Sequence, residues 1–300
     1  MKNRMKRPKE GMVEATSVGA RISNVIGTLL LCVVIFCCVI PIWHVVMSSI
    51  SDGRALFAHE GLVFFPQGKI NFEGYVQALS GGNILRSYIV TIFYVVSITG
   101  IGLVMNVLGG YVLSQKSKLK PLLTMILVFS MMFNGGVVPT YMVVSKIGLS
   151  GTPWALILPG CTNAIFIIMM MNAFLQIPKE TVEAAQMDGA GHLRMMFQVM
   201  LPQAKGFALV TVVNSALMAW NMWFEATIYL PTQKDWWPLQ LWIRELTSRN
   251  QDFLNYANPN YNRYLIQYVV IVIATLPILL IFPFFQKRLE ENMTVGAVKG

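Results

Sequence analysis

Six stretches of this 300-residue chain contain no aspartate, glutamate, lysine or arginine: 22–51, 87–115, 121–145, 147–178, 206–224 and 264–286. An α-helix needs roughly 17 to 25 apolar residues to cross a hydrocarbon core of about 30 Å, and every stretch meets that length. Hydrophobic residues make up 55% of the chain and charged residues 12%, about half the share found in an ordinary soluble domain. The expected fold is therefore all-α: a polytopic integral membrane protein with six transmembrane helices.

The basic residues orient these helices. With a cytoplasmic amino terminus, segments 1–24, 114–120, 177–206 and 287–300 lie inside, and they hold 15 of the 23 lysines and arginines, which is the bias of the positive-inside rule. The predicted organisation is a cytoplasmic basic start (1–24), a first transmembrane helix (25–50), an external loop (51–84), a five-helix core (85–286) and a cytoplasmic tail (287–300). Lys2, Arg4, Lys6, Arg7 and Lys9 precede an apolar region too long for a cleaved signal, with no A-x-A site close behind, so the first span reads as a retained anchor. The net charge of +9 reads as topology. Nucleic acid is not an expected partner, because the basic residues are spread over four short membrane-flanking segments and form no single stripe.

Between the fourth and fifth apolar stretches lies the longest amphipathic segment, Pro178 to Pro202, at the membrane surface. Pro178 suits the first position of a helix, and Glu180 and Glu183 sit in its first turns, where carboxylates favour the positive end of the macrodipole. Gly189 supplies the backbone on which helices commonly end. A second helix follows, with Leu193, Met196, Phe197, Met200 and Leu201 on one stripe, Arg194 and Gln198 off it, and Pro202 at its end. The small Ala184 and Ala185 let another backbone come close, so the segment reads as a docking element.

Glu183-Ala184-Ala185, three residues, Gly189, nine residues, Val199, one residue, Leu201-Pro202 resembles the "EAA" loop of inner-membrane permease subunits of binding-protein-dependent ABC importers, with the MetI-like fold. Val199 replaces the usual isoleucine, and Gly206 stands where many relatives carry a second proline. The resemblance implies that this loop is cytoplasmic and inserts into an ATPase subunit, with Glu183, Ala184, Ala185, Asp188, Gly189, Leu201 and Pro202 as the coupling contact. It further implies a partner ATPase dimer that binds ATP and magnesium, an extracellular or periplasmic binding protein, and a second homologous permease, either a different chain, giving the heterodimer usual for sugar importers, or a copy of this one. In that family helix one embraces the partner subunit. The segments from Asn134 to Tyr141, Trp154 to Gly160 and Trp220 to Gln240, and the chain end from Phe282, resemble the carbohydrate-importing branch and its LplC/YtcP-like group. Met171 departs from that pattern, where an arginine is expected before Asn172.

The remaining features are read from the residues. Gly100, Gly102, Gly109 and Gly110 in the second span are small enough for close helix packing. A short amphipathic helix is expected near Phe72 to Leu79. Asn134-Gly135-Gly136 and Pro139 free backbone groups that should not face lipid, which is consistent with a kinked helix beside a translocation path or with a plain helix end. The fifth span is expected over Phe207 to Leu230. Trp220, Trp223, Trp236 and Trp237 fit either an interfacial belt or ring faces that stack on sugars. Asn134, Tyr141, Trp220, Asn221 and Trp223 are the candidate path residues. Cys32, Cys37, Cys38 and Cys161 show no metal-type spacing and read as small apolar packing residues.

Several activities find no support. There is no G-x-x-x-x-G-K-[ST] loop, so energy for transport must come from another polypeptide, and no HExxH or G-x-S-x-G motif occurs. No cofactor or metal site is expected in this chain. No carboxylate lies within the six stretches, against a carrier that needs a titrating group at the midplane. His44, His59 and His192 are scattered. The expected function is the permease subunit of an ATP-driven importer for a sugar or oligosaccharide, working by alternating access. An importer for a peptide or amino acid and a non-transporting assembly or sensor subunit are the alternatives.

Overall fold

The computed structural model describes residues 18–80, 83–133, 135–248 and 263–297. Most of the basic start, the candidate Asn134 and the last three residues lie outside that set. All regular structure among the described residues is helical.

Four helices or near-continuous helix pairs are long and apolar enough to cross a membrane: Ile22–Ser49, Asn83–Ser114, Trp154–Leu175 and Leu265–Gln286. The first lies in α1 (Val18–Ser49) and the second is α4 (Asn83–Ser114). The third joins α7 (Trp154–Gly160) to α8 (Ala164–Leu175), and the last lies in α15 (Arg263–Ala297). The other two expected spans are not straight helices. The third is split into α5 (Lys120–Met132) and α6 (Val137–Lys146), which meet at 117°. Gly136 turns there at φ +85, a conformation that suits glycine. Pro139 falls in the first turn of α6, where its missing N–H costs little. The fifth span ends at Trp220, ten residues before the expected Leu230: α12 (Lys205–Trp220) gives way to an irregular turn and then α13 (Phe224–Tyr229). At that end the Asn221 side chain donates back to the Leu217 carbonyl at 2.8 Å, the local bonding that disfavours continued helix.

Spans α4, α8 and α12 form the centre. Three glycines of α4 carry the contact with the fourth span: a Cβ on Gly109 would lie 2.9 Å from Ile167 Cγ2. A Cβ on Gly102 would lie 2.9 Å from the Cys161 carbonyl oxygen, and one on Gly110 would lie 2.6 Å from the Met170 Cβ. Gly100, grouped with them by sequence, has nothing within 4 Å. Helix α1 runs antiparallel to α15, with His44 Nε2 3.2 Å from Tyr268 Oη, and most of α1 is exposed. Cys32, Cys37 and Cys38 are accordingly exposed, and only Cys161 packs inside as expected.

The two ends of the bundle differ. At the distal end the loop after α1 folds over the helix tips through α2 (Gly53–Ala58) and α3 (Glu73–Ser80), the latter close to the predicted amphipathic helix. Asp52 caps α2 by accepting from the Arg54 and Ala55 amides. The Val63 amide donates to His44 Nδ1 at 2.9 Å, which leaves Nε2 to donate to Tyr268. Also distal are a 3-10 turn at Lys234–Trp236 and α14 (Leu239–Ser248). The Leu239 amide donates to Thr91 Oγ1 at 2.8 Å and Tyr94 Oη to the Trp236 carbonyl at 3.0 Å. Because the Gly151 amide donates to the Tyr229 carbonyl at 2.9 Å, the chain that leaves α4 at Ser114 has crossed to the distal end by Gly151. The opposite end carries the 178–202 segment.

Candidate functional site

The docking segment leaves α8 through Ile177 and forms α9 (Lys179–Met187), with Pro178 as the residue before the helix rather than its first. The predicted elbow is present. Gly189 has φ +74, and the Gly189 and Ala190 amides donate to the Gln186 and Ala185 carbonyls, closing α9 as left-handed glycine caps do.

The second helix departs from the expected register. It comprises α10 (His192–Arg194), a π-helix over Met195–Met200 and α11 (Leu201–Gln203). In a π-helix the bonds run i to i+5, so the turn is wider and Met200 falls over Met195. Met195, Met196 and Met200 are buried, whereas Leu193 is 69% and Phe197 46% exposed. The five-residue α-phased stripe is therefore split: Met196 and Met200 face the bundle and Leu193 and Phe197 face out. Pro202 does not end the helix, which continues to Gln203 before an 85° turn into α12.

The buried methionines join Val107 and Tyr111 of α4, and Met170, Ala173 and Phe174 of α8, in one apolar cluster. On the outer side Glu183, Ala184, Asp188, Gly189 and Pro202 are exposed, while Ala185 and Leu201 are half-buried. Met187 is 89% exposed. The segment thus presents an open face of small, acidic and apolar groups around a glycine turn, seated on an apolar base. Sequence reasoning missed Met187 and placed Leu193 and Phe197 on the wrong side; an unbroken run of apolar residues fits either helical phase.

The candidate path residues are not all together. Tyr141 of α6 stacks on Tyr229 of α13 with centroids 6.0 Å apart. Asn221 is exposed. One face of the Trp223 ring is covered by the Arg244 guanidinium at 3.9 Å, a cation–π contact on a helix that the sequence reading did not mark. Trp220 is 9% exposed and meets Tyr88 edge-on at 6.1 Å. It borders an apolar cavity of about 340 Å³ between α4, α12 and α15, with Val213, Leu217, Pro277 and Phe282. Trp237 is buried and donates from Nε1 to the Leu230 carbonyl at 2.7 Å, so it belongs to neither a belt nor a free ring face. The described residues contain no group of His, Cys, Asp and Glu able to hold a metal.

A bundle of bilayer-length helices with a surface-exposed helix–glycine–helix segment at one end is the architecture of a multi-pass membrane protein. The chain belongs to the family of binding-protein-dependent transport system inner membrane components, whose model matches residues 12–295. It is 35% identical to protein LplC of Bacillus subtilis (strain 168) over 269 residues, 87% of this chain and 90% of that one. Identity to the polygalacturonan/rhamnogalacturonan transport system permease protein YtcP of the same organism is 30% over 271 residues, 88% and 93% of the two chains. It is also similar to a chain in the crystal structure of a bacterial ABC transporter involved in the import of the acidic polysaccharide alginate. The TM-score there is 0.84 at 29% identity, covering 90% of this chain and 98% of that chain. The chain is a transport subunit rather than an enzyme.

Proposed function

We propose that this chain is the permease subunit of an ATP-driven importer that takes up a sugar or oligosaccharide delivered by an extracellular or periplasmic binding protein. The observation that carries this reading is the docking segment: an exposed glycine elbow flanked by Glu183, Ala184 and Asp188, resting on the inner ends of α4 and α8. Its partner is a cytoplasmic ATPase dimer that binds ATP and magnesium. Closure of that dimer would press on the segment, and the apolar base would carry the motion into the spans. The carbohydrate class rests on the relatives, since polygalacturonan/rhamnogalacturonan and alginate are named for two of them.

In this reading the bent pair α5–α6 and the helix α12 are the two remaining spans, giving six, and the amino terminus, the 178–202 segment and the tail are cytoplasmic. One such subunit supplies half of a cavity, so a second, homologous permease completes it as a heterodimer, and α1, exposed along most of its length, is free to embrace that partner. Tyr141, Asn221 and the uncovered side of Trp223 border the path at its distal end, and Trp220 supports them from within; Asn134, the other residue assigned to the path, lies outside the described residues.

The test is purification of the tagged chain in mild detergent, with identification of its partners and of vanadate-sensitive ATP hydrolysis. Recovery of an ATPase and a second permease, with hydrolysis stimulated by the binding protein loaded in turn with neutral and acidic oligosaccharides, is the expected result. Recovery of the chain without an ATPase, under conditions that keep complexes intact, would remove the importer reading.

A further inference from the structure

The docking segment is held to the bundle by two kinds of contact. The first is apolar and adaptable: Met195, Met196 and Met200 lie against Met170, Ala173 and Phe174, and methionine fills space without fixing orientation. The second is directional. Tyr111 Oη of α4 lies 2.9 Å from His192 Nδ1, with the rings edge-on at 6.1 Å. Among the described residues this is the only hydrogen bond that joins segment 178–203 to another span. Tyr111 is itself fixed. It is buried, its ring packs edge-on against Phe174 at 6.5 Å, and Gly110 beside it seats α4 on the Met170 backbone too closely for a side chain. The inner ends of α4 and α8 therefore move as one body, and His192, just past the elbow, is tied to that body at a single point.

We propose that the Tyr111–His192 hydrogen bond is the pivot of the docking segment, which lets the segment rock on its methionine seat while forcing α4 and α8 to follow. The two are positioning residues for transport: without the bond the seat slips and the segment's motion is spent at the membrane surface. The proposal rests on the reading that the segment docks on an ATPase. Either imidazole nitrogen state preserves the bond, since Tyr111 Oη donates to a bare Nδ1 and accepts from a protonated one.

The experiment uses the intact complex in liposomes, with the native cysteines replaced by alanine and a reporter cysteine at Thr232→Cys on the distal end. The probe is magnesium-ATP with vanadate, and the readout is the change in labelling rate by a membrane-impermeant maleimide. Tyr111→Phe keeps the ring and removes only the hydroxyl; His192→Phe changes an exposed position and keeps the test usable should the first variant accumulate poorly. Each single variant is expected to shrink the vanadate-induced change roughly fivefold or more, the range of ordinary coupling energies, with the ATPase still co-purifying in equal amount. The double variant is expected to be no worse than either single one, because both remove the same bond. Full-sized changes in both single variants, or losses that multiply in the double variant, would overturn the pivot. Absence of the ATPase from the unaltered complex would overturn the proposed function instead.

Discussion

Gly189 turns the docking segment at φ +74 with no atom within 4 Å of where a Cβ would stand, so the demand there is on backbone alone. A left-handed conformation costs an ordinary L-residue roughly 1 to 2 kcal/mol, while asparagine adopts it more readily than most. Gly189→Asn is therefore expected to keep most uptake, and Gly189→Val to lose most of it at equal abundance; equal uptake by the two variants would mean that the turn is not required. Gly110 makes the opposite demand, on space. Gly110→Ala places its Cβ 2.6 Å from that of Met170, and overpacking of this kind costs about 1 to 3 kcal/mol. It should lower the melting temperature of the detergent-solubilised protein by several degrees. Gly100→Ala, with nothing within 4 Å, should leave it unchanged or raise it slightly, since alanine favours helix. Sequence set these glycines side by side; only the way α4 faces the fourth span separates them.

At the scale of elements, the π-helix at Met195–Met200 decides which face of the docking segment is offered. Met196 is 1% exposed and Phe197 46%, although an α-helical stripe would treat them alike. Phe197→Gln should leave folding intact and weaken retention of the ATPase on purification. Met196→Gln buries an amide among methionines without a partner, a cost of about 1 to 3 kcal/mol, and should lower melting temperature and abundance. Matching melting temperatures for the two would favour an unbroken α-helical register. The elbow itself, the short helix α3 and the four continuous spans were legible, because glycine, amphipathic spacing and charge-free length each act locally. The π-turn was not, since its run of methionines fits two phases. The breaks after Met132 and Trp220 were half legible: Gly135-Gly136 marks the first, whereas at the second Asn221, Glu225 and Thr227 are scattered among apolar residues that continue to Leu230 and carry no glycine or proline to mark a turn. Helix α14 was not marked in the sequence, and Trp223 and Trp237, read there as an interfacial belt or as sugar-stacking faces, are instead covered by Arg244 of that helix and buried, respectively.

For the whole molecule, sidedness follows from which ends meet. Ser114, Ile177 and the docking segment share one end with the start of α12; Gly151, Tyr229 and the first turns of α15 share the other. That parity holds only if the bent pair α5–α6 makes one net crossing, because α5 begins next to the docking end and Gly151 is bonded at the distal end. The excess of lysine and arginine near the docking end supports the proposed cytoplasmic placement of that end. In a cysteine-free background, Ser150→Cys and Thr232→Cys should react with a membrane-impermeant maleimide in intact cells, whereas Lys118→Cys and Gln186→Cys should react only after lysis. Inversion of the whole pattern would reverse the orientation and remove the docking segment from the ATPase. Shielding of Ser150→Cys in intact cells together with Lys118→Cys, while Thr232→Cys still reacts, would make α5–α6 a re-entrant pair on the cytoplasmic side. The contact between Gly151 and Tyr229 would then have to form by burial of Tyr229 within the membrane, which its place on the short α13, beyond the end of α12, argues against.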